Sequence, residues 1–176
     1  MSDHRNAPDN NPNGLDAEPR VRLAVLDDLE RLVAFNVAHA EEVEDKGLAR
    51  ATVRGGVRRL LEHPEDGQIY ICEVAGHAAG TLMLTTEWSD WRNGRFWWIQ
   101  SVYVDPTYRR RGIYSTLHRS VQANARAAED CCGIRLYVER DNLAAQAAYR
   151  GHGMSETDYL LFEETWIPRS HAQDPD

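Results

Sequence analysis

VYVDPTYRRRGIYSTL, residues 102–117, decides the fold. The run that leads into it, FWWIQSVYV at 96–104, is apolar at odd and even positions alike, as a central strand buried on both faces must be. The strand ends at Asp105-Pro106. A basic turn follows, and a helix opens near Gly112 with Ile113, Leu117, Val121 and Ala128 along one face. Such a junction points several backbone N–H groups outward at the positive end of a helix dipole, an anion site suited to a pyrophosphate. Gly112 lets the backbone approach the phosphates closely. Arg109, Arg110 and Arg111 can pair with phosphate oxygens around the rim. Taken alone, the hexapeptide at 109–114 reads as a solvated arginine-rich loop. Its place after a strand and a proline, at a helix start, reverses that preference.

Upstream, RVRLAVL at 20–26 alternates polar and apolar residues and predicts an opening strand. Asp27 or Asp28 can cap a helix whose Leu29, Leu32, Val33 and Val37 share a face. A second helix is expected over 51–63, stopping before Pro64. QIYICEV at 68–74 reads as a strand, Gly76 as a turn, and AGTLMLTT at 79–86 as the hairpin partner. Asn93-Gly94 is the next turn signal. Downstream, IRLYV at 134–138 is a strand, residues 142–150 a short Ala-rich helix, and residues 154–162 a strand that closes the sheet. The expected order is β-α-α-β-β-β-α-β-α-β, an α/β chain with an α+β mixed sheet and helices on both faces.

The 176 residues suit one domain with a core that needs no disulfide or metal. Residues 20–167 would form it. Residues 1–19 are rich in Asp, Asn, Pro and Gly and cannot offset their ordering entropy, so a disordered N-terminal tail is expected, and a flexible tail at 168–176. The net charge of −8 repels phosphate backbones and anionic membranes, while a cationic substrate would be attracted. Cys72, Cys131 and Cys132 form no CxxC pair, and the histidines show no metal-ligand spacing, so no metal is expected. With no apolar leader or membrane span, the expected compartment is a reducing cytoplasm.

The arginine-glycine turn resembles the signature of the GCN5-related N-acetyltransferase (GNAT) family, Q/R-x-x-G-x-G/A after a strand. Here it reads Arg109-Arg110-Arg111-Gly112-Ile113-Tyr114, with Val104, Pro106 and Tyr108 in the lead-in. Tyr114 departs from the family's final small residue but keeps its amide. YVERDNLAAQAAYRGHGM at 137–154 is similar to the family's second block, with Asn142, Tyr149 and Gly153-Met154 at its marked places. Asn142 and Tyr149 lie two helical turns apart, so both can face one ligand. The resemblance spans roughly residues 20–162 and implies a GNAT-like fold binding acetyl-CoA as cosubstrate. The cofactor-binding set it implies is Val102, Tyr103, Val104, Arg109, Arg110, Arg111, Gly112, Ile113, Tyr114, Ser115 and Asn142. The simpler roles are a helix cap for Asn142 and a core tyrosine for Tyr149.

The implied reaction is direct attack of a primary amine on the thioester in a ternary complex. The amine must be neutral, the oxyanion needs a donor, and the leaving thiolate needs a proton. By resemblance the Val102 N–H is the donor, Val102 and Val104 pair with the pantetheine amides, and Tyr149 is the general acid. Some relatives place an acidic pair where this chain has Gln100 and Ser101, so Glu87 is the candidate base, with Asp90 behind it. Trp88, Trp91, Trp97 and Trp98 could wall a cationic acceptor, although Trp97 and Trp98 point to opposite faces. His39 could line the acceptor pocket. A small-molecule amine is the expected partner, and a homodimer stays open. The alternative is an acyl-CoA-binding sensor or interaction module without turnover.

Overall fold

The computed structural model describes residues 17–44, 48–164 and 166. Residues 1–16 and 167–176, which hold most of both expected tails, lie outside them. The elements are β1 (Arg20–Leu23), α1 (Leu29–Glu44), α2 (Arg50–Glu62), β2 (Gln68–Val74), β3 (His77–Ser89), β4 (Gly94–Val104), α3 (Ile113–Ala127), β5 (Cys131–Leu136) and α4 (Leu143–Gly151). The strands form one sheet in the order β1-β2-β3-β4-β5. Every pairing is antiparallel except β4 with β5, so the sheet is mixed, as the sequence implies.

The period-2 alternation of β2 sorts the core into two layers. Ile69 and Ile71 face one side, where they meet Leu29, Leu32 and Val33 of α1 and Val57 of α2. Tyr70, Cys72 and Val74 face the other, with Leu82 and Leu84 of β3, Ile99 of β4, and Ile113, Leu117 and Val121 of α3. Burial pushes the Cys72 thiol up to about 11, so it behaves as a small apolar side chain. The opening strand is pinned by Arg22, whose guanidinium grips both carboxylate oxygens of Asp28 and reaches Glu73 on β2. Asp28 in turn accepts from the Val25 N–H, and its carboxyl is held below the usual range chiefly by Arg22.

The bounds differ from the sequence reading in several places: β1 stops at Leu23 where 26 was expected, and β5 covers Cys131–Leu136 where 134–138 was expected. β3 runs on to Ser89, because its partner β4 continues opposite it down to Gly94. The expected closing strand at 154–162 is not formed. From Ser155 to Glu164 every residue is exposed and no strand is assigned. The apolar pattern of that segment fits a strand, but a strand exists only where a second backbone pairs with it. Among the described residues β5 therefore ends the sheet.

Candidate active site

β4 and β5 pair from Arg95 and Cys131 as far as Ile99 and Leu136, and no further. On the other side of β4, Leu84 opposes Ile99 while Met83 opposes Ser101, so Gln100 is the extra residue of a β-bulge. Beyond the bulge, residues 100–104 of β4 keep β3 on one side and face an opening on the other. The Asp105 N–H donates to the Ala79 carbonyl of β3 at 3.0 Å. Strand N–H groups alternate in direction, so those of Val104 and Val102 point away from β3, into the opening. Their side chains pack against the α3 layer. Tyr103 points the opposite way and is buried, with its ring centroid 5.1 Å from Phe35 and 6.0 Å from His39.

Past β4, Asp105 accepts from the Thr107 N–H and caps a short turn at Pro106–Tyr108. Arg110 and Gly112 both take left-handed backbone, with φ of 60° and 77°. Gly112 then starts α3, and its carbonyl accepts from the Thr116 N–H at 2.9 Å. The N–H groups of Ile113, Tyr114 and Ser115 have no carbonyl one turn earlier to bond. No side chain caps this end, and no acidic residue stands in the first turn of α3. The open donors therefore fit a dianionic group. Arg110 and Arg111 are exposed at the rim. Arg109 is committed elsewhere. Its Nε donates to the Val104 carbonyl at 3.0 Å, and its guanidinium pairs with Glu42 of α1 and lies over the Tyr103 ring. It braces the strand end rather than the rim.

Tyr149 is half-buried on α4, and its ring meets Tyr114 edge-on at 5.8 Å. Burial raises both phenols above the usual tyrosine value. Tyr114, the departure from the small residue of the signature, thus fills the space between α3 and α4. It also touches His152 and His118, which lie 4.8 Å apart. Asn142 is the N-cap of α4, its Oδ1 accepting from the Ala145 N–H at 3.0 Å. The capping role uses the oxygen and leaves the amide hydrogens for another partner.

His118 is 1 % exposed, and neither ring nitrogen has a hydrogen-bond partner among the described residues. Burial, and then His152, hold it below the ordinary imidazole value of about 6.5. The unfolded chain takes up a proton near that pH and the folded one does not. This contribution is therefore complete above pH about 6.5 and lost as pH falls below it. Thermal denaturation should show the melting temperature falling between pH about 7 and 5, and a flatter dependence in His118→Leu. An unchanged slope in the variant would place the loss on other groups.

On the face of the sheet opposite α3, Gln100 donates to Thr85 Oγ1 at 2.8 Å and accepts from the Tyr137 hydroxyl at 3.0 Å. The Tyr137 ring lies 6.1 Å from that of Trp98. Further along the same face of β3, Glu87 is ion-paired with Arg135 at 2.9 Å, and Arg135 stacks over Phe96 at 3.6 Å. The four tryptophans separate. Trp97 packs on the α3 layer, Trp98 sits beside Tyr137, Trp88 is half-exposed and Trp91 stands in solvent. Asp90 binds the Trp91 N–H within its turn. A cavity of about 230 Å³ between α1, α2 and β3 reaches Ser101 beside the bulge, with Asn36, Gly56 and Thr81 in its wall. The sequence reading passed over His118, His152 and the Gln100–Tyr137 bond. Only His118 carried a signal, four residues after Tyr114 on a helix and so on the same face.

The GNAT acetyltransferase family model matches residues 36–154. The chain belongs to this family. Among solved GNAT-like structures, a possible acetyltransferase from Clostridium difficile 630 is 40% identical, with a TM-score of 0.80 over 85% of this chain and 98% of that one. An aminoglycoside N-acetyltransferase, AAC(6')-Iy, in complex with CoA shares the fold at 15% identity, with a TM-score of 0.70 over 86% of this chain and 97% of that one. The S-(2-succino)cysteine N-acetyltransferase of Bacillus subtilis (strain 168) is 26% identical over 104 residues, 57% of this chain and 61% of that protein. The match therefore spans under two thirds of that curated relative. Among the described residues of this GNAT chain, no helix is long and apolar enough to cross a membrane.

Proposed function

We propose that the chain transfers the acetyl group of acetyl-CoA to a primary amine by direct attack in a ternary complex. The observation that carries this reading is the parting of β4 from β5 at the Gln100 bulge, next to an uncapped α3 that starts on left-handed Gly112. The amides of residues 112–115 hold the pyrophosphate, with Arg110 and Arg111 at its rim. Asn142 turns its amide hydrogens to the pantetheine arm, and the Val102 and Val104 backbones pair with it. The thioester supplies an activated acyl group. The Val102 N–H donates to the acyl oxygen, and Tyr149 donates its proton to the departing sulfur.

The acceptor amine lies on the Gln100 face, beside Trp98 and Tyr137. Glu87 is the proposed base, reached through a chain of waters because it pairs across Phe96, six residues along β4 from Val102, and its carboxylate is kept in place by Arg135. Glu87→Gln is expected to lower turnover several-fold with acetyl-CoA affinity unchanged, as read from initial rates and calorimetry. The proposed substrate is a small-molecule amine. The compartment is proposed as the cytoplasm, and residues 20–167 as the catalytic domain.

One observation favours a second reading, an acyl-CoA binder without turnover. Gln100, at the place where some relatives carry an acid, cannot take a proton and is already hydrogen-bonded on both sides. Two measurements separate the readings. Acetyl-CoA at about 100 times its Kd should stabilise the fold by about 2.7 kcal/mol, raising the melting temperature well above any effect of NAD or ATP. Thiol release across an amine library should then be amine-dependent. A thermal shift without thiol release supports the binder, and no shift at all overturns both.

A further inference from the structure

The cavity of about 230 Å³ between α1, α2 and β3 has one end at the candidate site. It reaches Ser101, the residue after the Gln100 bulge, and the next residue along β4 is Val102. Consecutive Cα atoms stand about 3.8 Å apart, so a molecule leaving this end emerges beside the gap where β4 parts from β5. Among the described residues, the wall holds no charged side chain. Val53, Leu60 and Met83 give it an apolar surface, and Asn36 spends its amide nitrogen on the Leu32 carbonyl at 2.9 Å. Charges of α2 are taken up outside it. Arg50 and Arg54 pair with Glu30, and Arg59 pairs with Asp66.

Gly56 lines this cavity from the interior of α2, where glycine is among the poorest residues for helix stability. Other glycines of the chain are needed for packing. A Cβ at Gly67 or Gly80 would come within 2.5 or 2.8 Å of a backbone carbonyl. A Cβ at Gly56 would meet nothing within 4 Å, and its φ is not left-handed. Neither packing nor backbone conformation calls for glycine there. What its missing side chain leaves is room. We propose that the cavity takes the carbon chain of the acceptor and that Gly56 sets its length. The acceptor is then a small primary amine on an uncharged aliphatic chain. At about 30 Å³ for each water-sized group, the space holds a chain of roughly seven carbons. A second ammonium at the far end of that chain would meet a wall with no ion to pair with it, which disfavours diamines and polyamines. This inference rests on the proposed acetyl transfer and adds which amines are acetylated.

Thiol release from acetyl-CoA with a series of amines tests this. From ethylamine to hexylamine, kcat/KM should rise about three- to fourfold per methylene, as burial of each CH₂ implies. Diaminohexane, with an amine at each end, should fall about tenfold or more below hexylamine. The net charge of −8 works the other way, since it attracts the dication more strongly. Gly56→Leu should flatten the series. Ethylamine turnover and acetyl-CoA affinity should stay unchanged, and the melting temperature should be no lower, because the helix gains a better former. Gly55→Leu brings the same helix gain outside the wall and should keep the full series. Gly56→Glu should raise diaminohexane above hexylamine, a gain that misfolding cannot mimic. A diamine as good as hexylamine in the wild type overturns the inference, and so does a length dependence that survives Gly56→Leu. Thiol release with no amine at all would instead overturn the proposed transfer, and this inference with it.

Discussion

Gly112→Asp is expected to weaken acetyl-CoA binding by about 100-fold or more while the fold survives. The substitution has two effects, one on the fold and one on binding. At a φ of 77° a residue with a Cβ strains the backbone, by roughly 1–2 kcal/mol for most side chains and less for Asp. A carboxylate would also face the pyrophosphate that the amides of 112–115 are proposed to hold. At about 5 Å and an effective dielectric of about 20, one such repulsion costs roughly 3 kcal/mol, which alone is near the stated factor. Gly112→Ala is the control. Its Cβ would meet nothing within 4 Å, so it tests backbone strain without charge. It should cost about 1 kcal/mol in stability and far less in affinity. Titration calorimetry on the three proteins decides the matter. Wild-type affinity in Gly112→Asp would put the phosphate site elsewhere.

The fold was legible because its strongest signals are local. The run at 96–104 is apolar on both faces and lies inside the sheet as β4, between β3 and β5. QIYICEV matched β2 residue for residue, since its alternation feeds two separate core layers. The closing strand was misread for the opposite reason. Residues 154–162 carry a strand's side chains, but pairing depends on what lies alongside, which period and propensity do not encode. The Val102 N–H was singled out only through the family resemblance. A bulge such as that at Gln100 leaves no mark in the residue types of FWWIQSVYV.

The site was legible in part for a related reason. Gly112 and the bare start of α3 follow from backbone needs that few residues meet, so their conformation could be read from one chain. Side-chain roles depend on neighbours brought in from elsewhere. Arg109 reads as a phosphate ligand in line with Arg110 and Arg111, yet Glu42, 67 positions away, draws it to α1. Glu87 reads as a free strand-end acid and is held by Arg135, 48 positions away. Tyr114 looks like a flaw in a glycine-rich signature. In the fold its ring supports Tyr149, and the amide that the signature needs is kept.

Tyr149→Phe is expected to lower turnover by about 100-fold with acetyl-CoA affinity nearly unchanged. The substitution removes one oxygen and keeps the ring that meets Tyr114 at 5.8 Å. Burial raises the Tyr149 pKa, so the phenol holds its proton throughout the neutral range and has one to give when the thiolate leaves. General acid catalysis contributes about 10²–10⁴-fold, and water entering the gap between β4 and β5 recovers some of it, which sets the lower figure. The sign of the pH dependence follows. The useful form is the protonated one, so turnover should persist on the alkaline side until pH passes the ordinary phenol value of about 10. That limb should vanish in the variant. If Tyr149 were only a core residue, the loss would appear as about 1 kcal/mol of stability with turnover intact. Melting, calorimetry and turnover on one preparation separate the cases. A stable variant that binds acetyl-CoA and turns over at the wild-type rate would refute the role, and the proton would then reach the sulfur from water or another donor.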